Sequence, residues 1–124
     1  MIAERNLGAR VRLIGRIDED QLVEHLARCR AVCFTPYDED YGFVTVEAFS
    51  SRKAVITCSD SGGPAELVNH GVTGRVVPPT ADALATALRE ITDDLPLAER
   101  LGGTALEHVA AMTWERAVQR LLQQ

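Results

Sequence analysis

The chain has 124 residues, 46% apolar and 25% charged, with a net charge of −5. That is one globular domain with enough mass for a real core. An acidic balance with no dense basic patch excludes a nucleic-acid partner. No apolar run approaches membrane-spanning length, and the first ten residues hold no signal-peptide core, so a cytoplasmic protein with no membrane span is expected. Cys29, Cys33 and Cys58 show neither metal-ligand nor redox-pair spacing, and are expected as free, buried thiols.

In chain order, residues 1–8 suit the tail of a helix stopped by Gly8. Val11–Ile14 predicts a short strand, and Gly15-Arg16-Ile17 a turn. Asp18 with Gln21 three residues on has the spacing of a capping box, and Leu22, Val23, Leu26 and Cys29 form the apolar stripe of the helix it starts. Ala31–Thr35 is a continuous apolar run typical of a buried parallel strand. Phe43–Val46 has strand-like propensity because of its β-branched residues. It nonetheless predicts a helix starting near Gly42, since apolar strands flank it at 31–35 and 54–58 and alternation implies βαβ units. A third strand is the competing reading.

Ala54–Cys58 is the next strand, 59–63 a loop, and Pro64 suits the first position of a short helix over 65–69. Asn69-His70-Gly71 closes that helix, and Gly74–Val77 is a last strand stopped by Pro78-Pro79. Thr80 or Asp82 caps a helix with Leu84, Leu88 and Ile91 on one face, and residues 93–96 break it. Helices are expected over about 97–111 and 114–123, the first weakened by Gly102-Gly103.

The stretch from Pro36 to Glu66 organises the rest. An acidic loop carrying Glu39 leads to Gly42 and then to a helix carrying Glu47. A glycine at a helix start leaves backbone N–H groups open to a phosphate. Glu47 would lie about 7 Å along the axis from Gly42, and a carboxylate there can accept two hydrogen bonds from a vicinal diol such as a ribose. Asp60, Gly62 and Gly63 follow a strand on the same rim of the sheet, where open α/β sheets bind ligands.

These motifs resemble the nucleotide-sugar-binding half of the group 1 (family 4) retaining glycosyltransferases, which have the GT-B fold. The matching residues are Pro36, Glu39, Tyr41-Gly42-Phe43 and Glu47-Ala48, then Ala54–Thr57, Asp60, Gly62-Gly63 and Glu66, then Gly71, Gly74 and the run at 76–79. The resemblance covers nearly the whole chain. It implies a Rossmann-like three-layer α/β architecture with a parallel sheet: a truncated half of a GT-B fold over residues 1–124, with C-terminal helices from about 81. It also implies roles. Glu39 would be catalytic, near the donor sugar, and Glu47 would hold the ribose. Gly42 and Phe43 would offer N–H groups to the diphosphate. Arg16 and Ile17 would face the nucleobase, and Asp60, Gly62 and Gly63 would line the donor site. No metal and no cofactor is implied, the nucleotide-diphospho-sugar being the donor substrate.

Each assignment has a plainer alternative. Glu47 could be a solvent-facing helix residue, Glu39 an acid stabilising a helix N-terminus, and the glycines mere turn formers. Trp114 is explained by packing, and His25, His70 and His108 by solvation. Arg52-Lys53-Ala54 departs from the family's usual turn. Lys53, the sole lysine, lies in that turn, which argues against a cofactor-dependent phosphorylase. The segment that supplies an Arg and a Lys to the diphosphate in the family would precede this chain, as would the acceptor-binding N-terminal domain. A non-catalytic module kept for assembly is the alternative function. In the family order 3-2-1-4-5-6, the strand at 11–14 would be strand 3. It is expected either to close up into a four-stranded sheet or to swap into a homodimer. Self-association through an exposed sheet edge or face is expected, and the sheet face left bare by the missing segment should be covered by the helices after Thr80 or by another subunit.

Overall fold

The computed structural model describes residues 1–123. The elements run α1 (Glu19–Arg28), β1 (Ala31–Cys33), α2 (Phe43–Ser50), β2 (Ala54–Cys58), α3 (Gly63–Leu67), β3 (Gly74–Val77), α4 (Ala81–Asp93), α5 (Leu95–Ala110) and α6 (Trp114–Leu122). The three strands form one parallel sheet in the order β1-β2-β3. The register pairs Val32 with Val55 and Ile56 with Arg75. All five residues of central β2 are buried, as a parallel strand covered on both faces requires.

Alternation along β2 separates two cores. On one face Ala54 and Ile56 pack with Ala87, Ile91, Ala98 and Leu101 from α4 and the first half of α5. On the other, Val55 packs with Ala48 and Phe49 of α2, Val68 and Ala105. Both crossover connections, through α2 and α3, are thus joined on one face by the second half of α5. The helices after Thr80 cover the opposite face, as expected. One helix reaches both faces because α5 passes under the α2–β2 turn: a Cβ on Gly102 would overlap the carbonyl of Arg52. The glycine that costs helix propensity is the one that permits this close approach.

Local signals account for most boundaries. Asp18 and Gln21 form the capping box of α1, with Asp18 Oδ1 accepting from Gln21 N–H at 2.9 Å. Thr80, Asp94 and Thr113 cap α4, α5 and α6 through their side chains.

The expected strand at Val11–Ile14 does not form, nor does a four-stranded sheet. The Val11 N–H turns back to the Leu7 carbonyl at 2.8 Å, and 11–18 contain no element until α1. A strand earns its hydrogen bonds only from a neighbour, and no strand lies beside this segment to supply them. Residues 1–8 are hydrogen-bonded turns rather than an α-helix. The strand expected over 31–35 stops at Cys33, although the Phe34 N–H still reaches the Ile56 carbonyl at 3.0 Å.

Neither α1 nor α6 buries a residue among the described residues. Trp114, expected to pack, is 85% exposed. The cysteines also differ from expectation: Cys58 is buried, Cys29 half-buried and Cys33 exposed. Two of the histidines do more than meet solvent. His70 Nδ1 accepts from the Val76 N–H at 3.0 Å, capping the outer edge of β3, and His108 stands edge-on to Phe49. Lys53 is structural, its Nζ donating to the Ala27 carbonyl at 3.1 Å.

Candidate functional site

The carboxyl ends of β1 and β2 open into two loops that run side by side. The Asp38 N–H donates to the Asp60 carbonyl at 3.0 Å, the Glu39 N–H to the Ser61 carbonyl at 3.1 Å, and the Gly63 N–H returns to the Glu39 carbonyl at 2.7 Å. Glu39 and Gly62 thereby form an isolated parallel bridge, which continues the β1–β2 pairing past the strand ends. Asp38 adopts a left-handed φ of 48°, which aspartate tolerates better than most residues.

Glycine is needed at two positions of this junction. Gly62 has φ 71°, and a Cβ there would lie 2.6 Å from the Glu39 carbonyl oxygen. A Cβ on Gly63 would lie 2.7 Å from the carbonyl oxygens of both Asp40 and Tyr41. These glycines are therefore more than turn formers: they let one loop backbone lie directly against the other. Ser61, fully buried, accepts from the Cys58 N–H through its hydroxyl at 3.2 Å and anchors the second loop to β2.

The first loop ends at Gly42, the N-cap of α2, in the left-handed conformation with φ 78° and ψ 63°. Gly42 has no side chain to cap the helix, and the first turn of α2 contains no acidic residue. Among the described residues, no hydrogen bond is made to the N–H groups of Phe43 or Val44. The helix therefore presents two open donors and the positive end of its dipole at the rim. The helical reading of Phe43–Val46 holds, since Thr45, Ala48 and Phe49 recur at helical spacing on the buried side. Glu47 falls between them and is exposed, one turn along from the open donors.

Glu39, Gly42, Phe43, Asp60, Gly62 and Gly63 are thus brought to one rim by the paired loops and the start of α2. Arg16 and Ile17 are not tied to it: among the described residues, no hydrogen bond links residues 12–17 to either loop. Arg16 is exposed and Ile17 half-buried. Asp38, Glu39 and Asp40 are exposed, and no basic side chain among the described residues forms an ion pair with them. Among the described residues, no group of three His, Cys, Asp or Glu side chains could hold a metal ion.

Two contributors to the rim escaped the sequence reading. Asp38 supplies a backbone hook and Ser61 a buried hydroxyl. The only available signal was a polar small residue placed just before two glycines at a strand end, a local turn chemistry with many outcomes.

Of the three thiols, Cys58 lies beneath this rim. Burial pushes its pKa up, and the Asp60 carboxylate pushes it further the same way. Cys33, exposed as a residue but with its sulfur partly desolvated, is raised as well, with a smaller contribution from Cys58. Cys29 is raised by burial against an opposing effect of Lys53.

A parallel sheet flanked by helices, with ligand-facing loops at its carboxyl edge, defines a Rossmann-like α/β domain. Its structural neighbours are GT-B glycosyltransferases. The model of the family "Glycosyl transferases group 1" matches residues 1–108, and the chain belongs to that family. Among relatives, the D-inositol 3-phosphate glycosyltransferase of Corynebacterium diphtheriae is 32% identical over 120 residues, covering 94% of this chain and 28% of that protein. The human alpha-1,3/1,6-mannosyltransferase is 29% identical over 102 residues, covering 82% and 24%. Among solved structures, a sucrose-phosphate synthase from Thermosynechococcus elongatus superposes with a TM-score of 0.85 at 34% identity, over 98% of this chain and 31% of that one. HepE of Anabaena, solved in complex with UDP and glucose, gives a TM-score of 0.78 at 28% identity, over 99% and 35%. The chain therefore spans between a quarter and just over a third of the length of these proteins. No described helix is long and apolar enough to cross a membrane.

Proposed function

We propose that this chain is the donor-binding part of a retaining glycosyltransferase, taking a nucleotide-diphospho-sugar from which a hexose-type sugar passes to an acceptor. The observation that carries this reading is the juxtaposition at the rim: two unfilled N–H donors at the start of α2 next to the paired 36–42 and 59–63 loops. Donors of that kind stabilise the diphosphate both when it binds and when it departs as leaving group. The UDP complex of HepE supports the choice of a nucleotide-sugar.

In this reading Phe43 N–H and the Gly42 turn hold the diphosphate. Glu47 accepts both hydroxyls of the ribose, a role its exposed position one turn into the helix allows. Glu39, fixed by its two backbone bonds to the neighbouring loop, acts at the donor sugar, and Asp60, Gly62 and Gly63 bound that sugar's pocket. Arg16 and Ile17 face the nucleobase. No cofactor or metal takes part. Asp38, Glu39 and Asp40 repel a diphosphate, so a cationic wall from outside this rim is needed to offset them, and an acceptor must be held opposite the donor. Free thiols fit a cytoplasmic setting.

Binding by the 124-residue chain should therefore be detectable but weak. Each charged hydrogen bond missing from the cationic wall is worth about 1.5–3 kcal/mol, or one to two decades of affinity. Ligand-observed NMR with UDP, GDP, ADP and their sugars tests this, and submicromolar binding of any of them would refute the missing wall. Glu47→Ala should abolish the signal from the ribose protons; unchanged binding would remove Glu47 from the site. Sugar transfer by this chain alone should be absent, because nothing in it holds an acceptor opposite the donor.

A further inference from the structure

The amino ends of β1 and β2, at the sheet edge opposite the rim, gather positive charge. Arg30 precedes β1 and Arg52-Lys53 precede β2. Together with Arg28 at the end of α1 they line a cleft of about 260 Å³ beside the start of α5. One carboxylate, Glu99, shares the cleft, and among the described residues it forms an ion pair with none of the four. Four cations thus face one acid in a chain whose net charge is −5.

Helix ends account for part of this set, because cations there satisfy open carbonyls. Arg30 donates to the Thr92 carbonyl at the end of α4, and Lys53 Nζ to the Ala27 carbonyl of α1. Arg28 pairs with Glu24 at 3.1 Å, where both side chains are exposed and water screens the attraction. Each of these cations keeps further N–H donors. Arg52 differs. Its guanidinium has no ion-pair or hydrogen-bond partner among the described residues and lies over Gly103 of α5.

The backbone of Arg52 is unusual as well. Its N–H donates to the Phe49 carbonyl at 3.0 Å and the Lys53 N–H to the Ala48 carbonyl at 2.9 Å, the two bonds of a Schellman turn after α2. Glycine is the usual left-handed residue of such a turn, and here Arg52 takes that place at φ 61°. An arginine is held in a conformation that disfavours it, at a cleft with three other cations. Strain of this kind, kept at a cleft, points to a ligand. One guanidinium satisfies a planar carboxylate, whereas the oxygens of a phosphate can be shared among several cations. The volume falls below that of drug-sized sites, so the ligand is compact. The cations come from two loops, and two linked phosphates can engage both.

We infer that this cleft binds a compact oligophosphate, diphosphate being the smallest, with one phosphate on Arg52 and Lys53 and the other on Arg28 and Arg30. The site is independent of the donor reading of the rim.

Sodium diphosphate titrated into the isotope-labelled chain should move the NMR signals of the Cys29, Arg30, Arg52 and Lys53 amides saturably. Inorganic phosphate and citrate should each bind about tenfold more weakly, the first reaching one loop only and the second offering planar carboxylates. Arg52→Gly removes the cation and supplies the residue that the turn favours. It should raise the diphosphate Kd about tenfold, the size of one lost charged hydrogen bond, while the thermal midpoint holds or rises. A merely structural arginine would lower the midpoint on the same substitution. The proposal is overturned by the absence of saturable shifts at these amides, or by shifts at Phe43 and Val44 alone, which would place the anion at the rim. Phosphate or citrate binding as tightly as diphosphate would also overturn it, as would an Arg52→Gly variant that binds normally or melts lower. Tighter binding of an oligoglutamate peptide than of diphosphate would overturn it too, by marking a protein-docking surface.

Discussion

Two threonines carry the least expected residue-scale feature. Thr45 and Thr57 are fully buried, and neither hydroxyl oxygen has a hydrogen-bond partner among the described residues. A buried hydroxyl without a partner forfeits its hydration and gains nothing in return, at a cost of about 1–3 kcal/mol. Thr57→Val keeps the β-branched shape in β2 and should raise the urea midpoint, by the equivalent of about 1 kcal/mol; a lowered midpoint would mean that the hydroxyl has a structural use. Gly62 gives the opposite expectation. Alanine there is strained at φ 71° and drives a Cβ toward the Glu39 carbonyl. Gly62→Ala should cost about 1–3 kcal/mol and separate the two rim loops. Hydrogen exchange would register this as lost protection at the Asp38, Glu39 and Gly63 amides, with the amides of β2 still protected.

At the scale of elements, α5 decides how the domain closes. Its two adjacent glycines look alike in the sequence and differ in space. A Cβ on Gly102 meets the Arg52 carbonyl, a backbone atom that cannot step aside, whereas a Cβ on Gly103 comes no closer than 3.6 Å, to the Arg52 guanidinium. Alanine gains about 1 kcal/mol of helix propensity at either position. At Gly103 that gain should appear as added stability. At Gly102 the forced displacement, about 1–3 kcal/mol, should outweigh it and detach α5 from the α2–β2 turn. Thermal unfolding of the two single variants provides the comparison, and equal shifts would disprove the close approach. Leu101, fully buried between α4 and β2, should cost about 2–5 kcal/mol on truncation to alanine.

For the whole molecule, pH dependence and association follow from burial. The Cys58 thiol, raised by its surroundings, stays protonated in the folded chain where the unfolded chain already ionises. The unfolded state then binds fewer protons, so stability is intact below the ordinary thiol pKa of about 8.5 and declines as pH climbs above it. Cys58→Ala should flatten that alkaline decline in urea titrations run across the range; an unaltered slope would assign it elsewhere. The outer edge of β1 is unpaired in the sheet, and Leu13, Trp114 and Leu122 are exposed on the terminal segments. Unpaired edges and exposed apolar side chains favour association. Sedimentation should show concentration-dependent self-association, and a clean monomer at high concentration would exclude it.

What the sequence determined alone is what short-range chemistry encodes. The Asp18 box, the Thr80 cap, the apolar runs at 54–58 and 74–77 and the glycine before α2 each carry their structural meaning within a few residues, and each reappears in the fold. Even the β-branched Phe43–Val46 yielded to its neighbours, because a helix between two parallel strands buries Thr45, Ala48 and Phe49 where a strand would have had no ladder to join. Tertiary structure decided the rest. Val11–Ile14 has strand composition and stays irregular, since pairing depends on a neighbour and composition cannot create one. The bond between the rim loops depends on Gly62 and Gly63 meeting the backbone of residues 39–41, a contact across more than twenty residues that no local pattern announces. The exposure of Trp114 arises in the same way, from where α6 leaves α5. Local hydrogen bonds and periodicity are written in adjacent residues; which surfaces meet is settled only when the whole chain competes for burial.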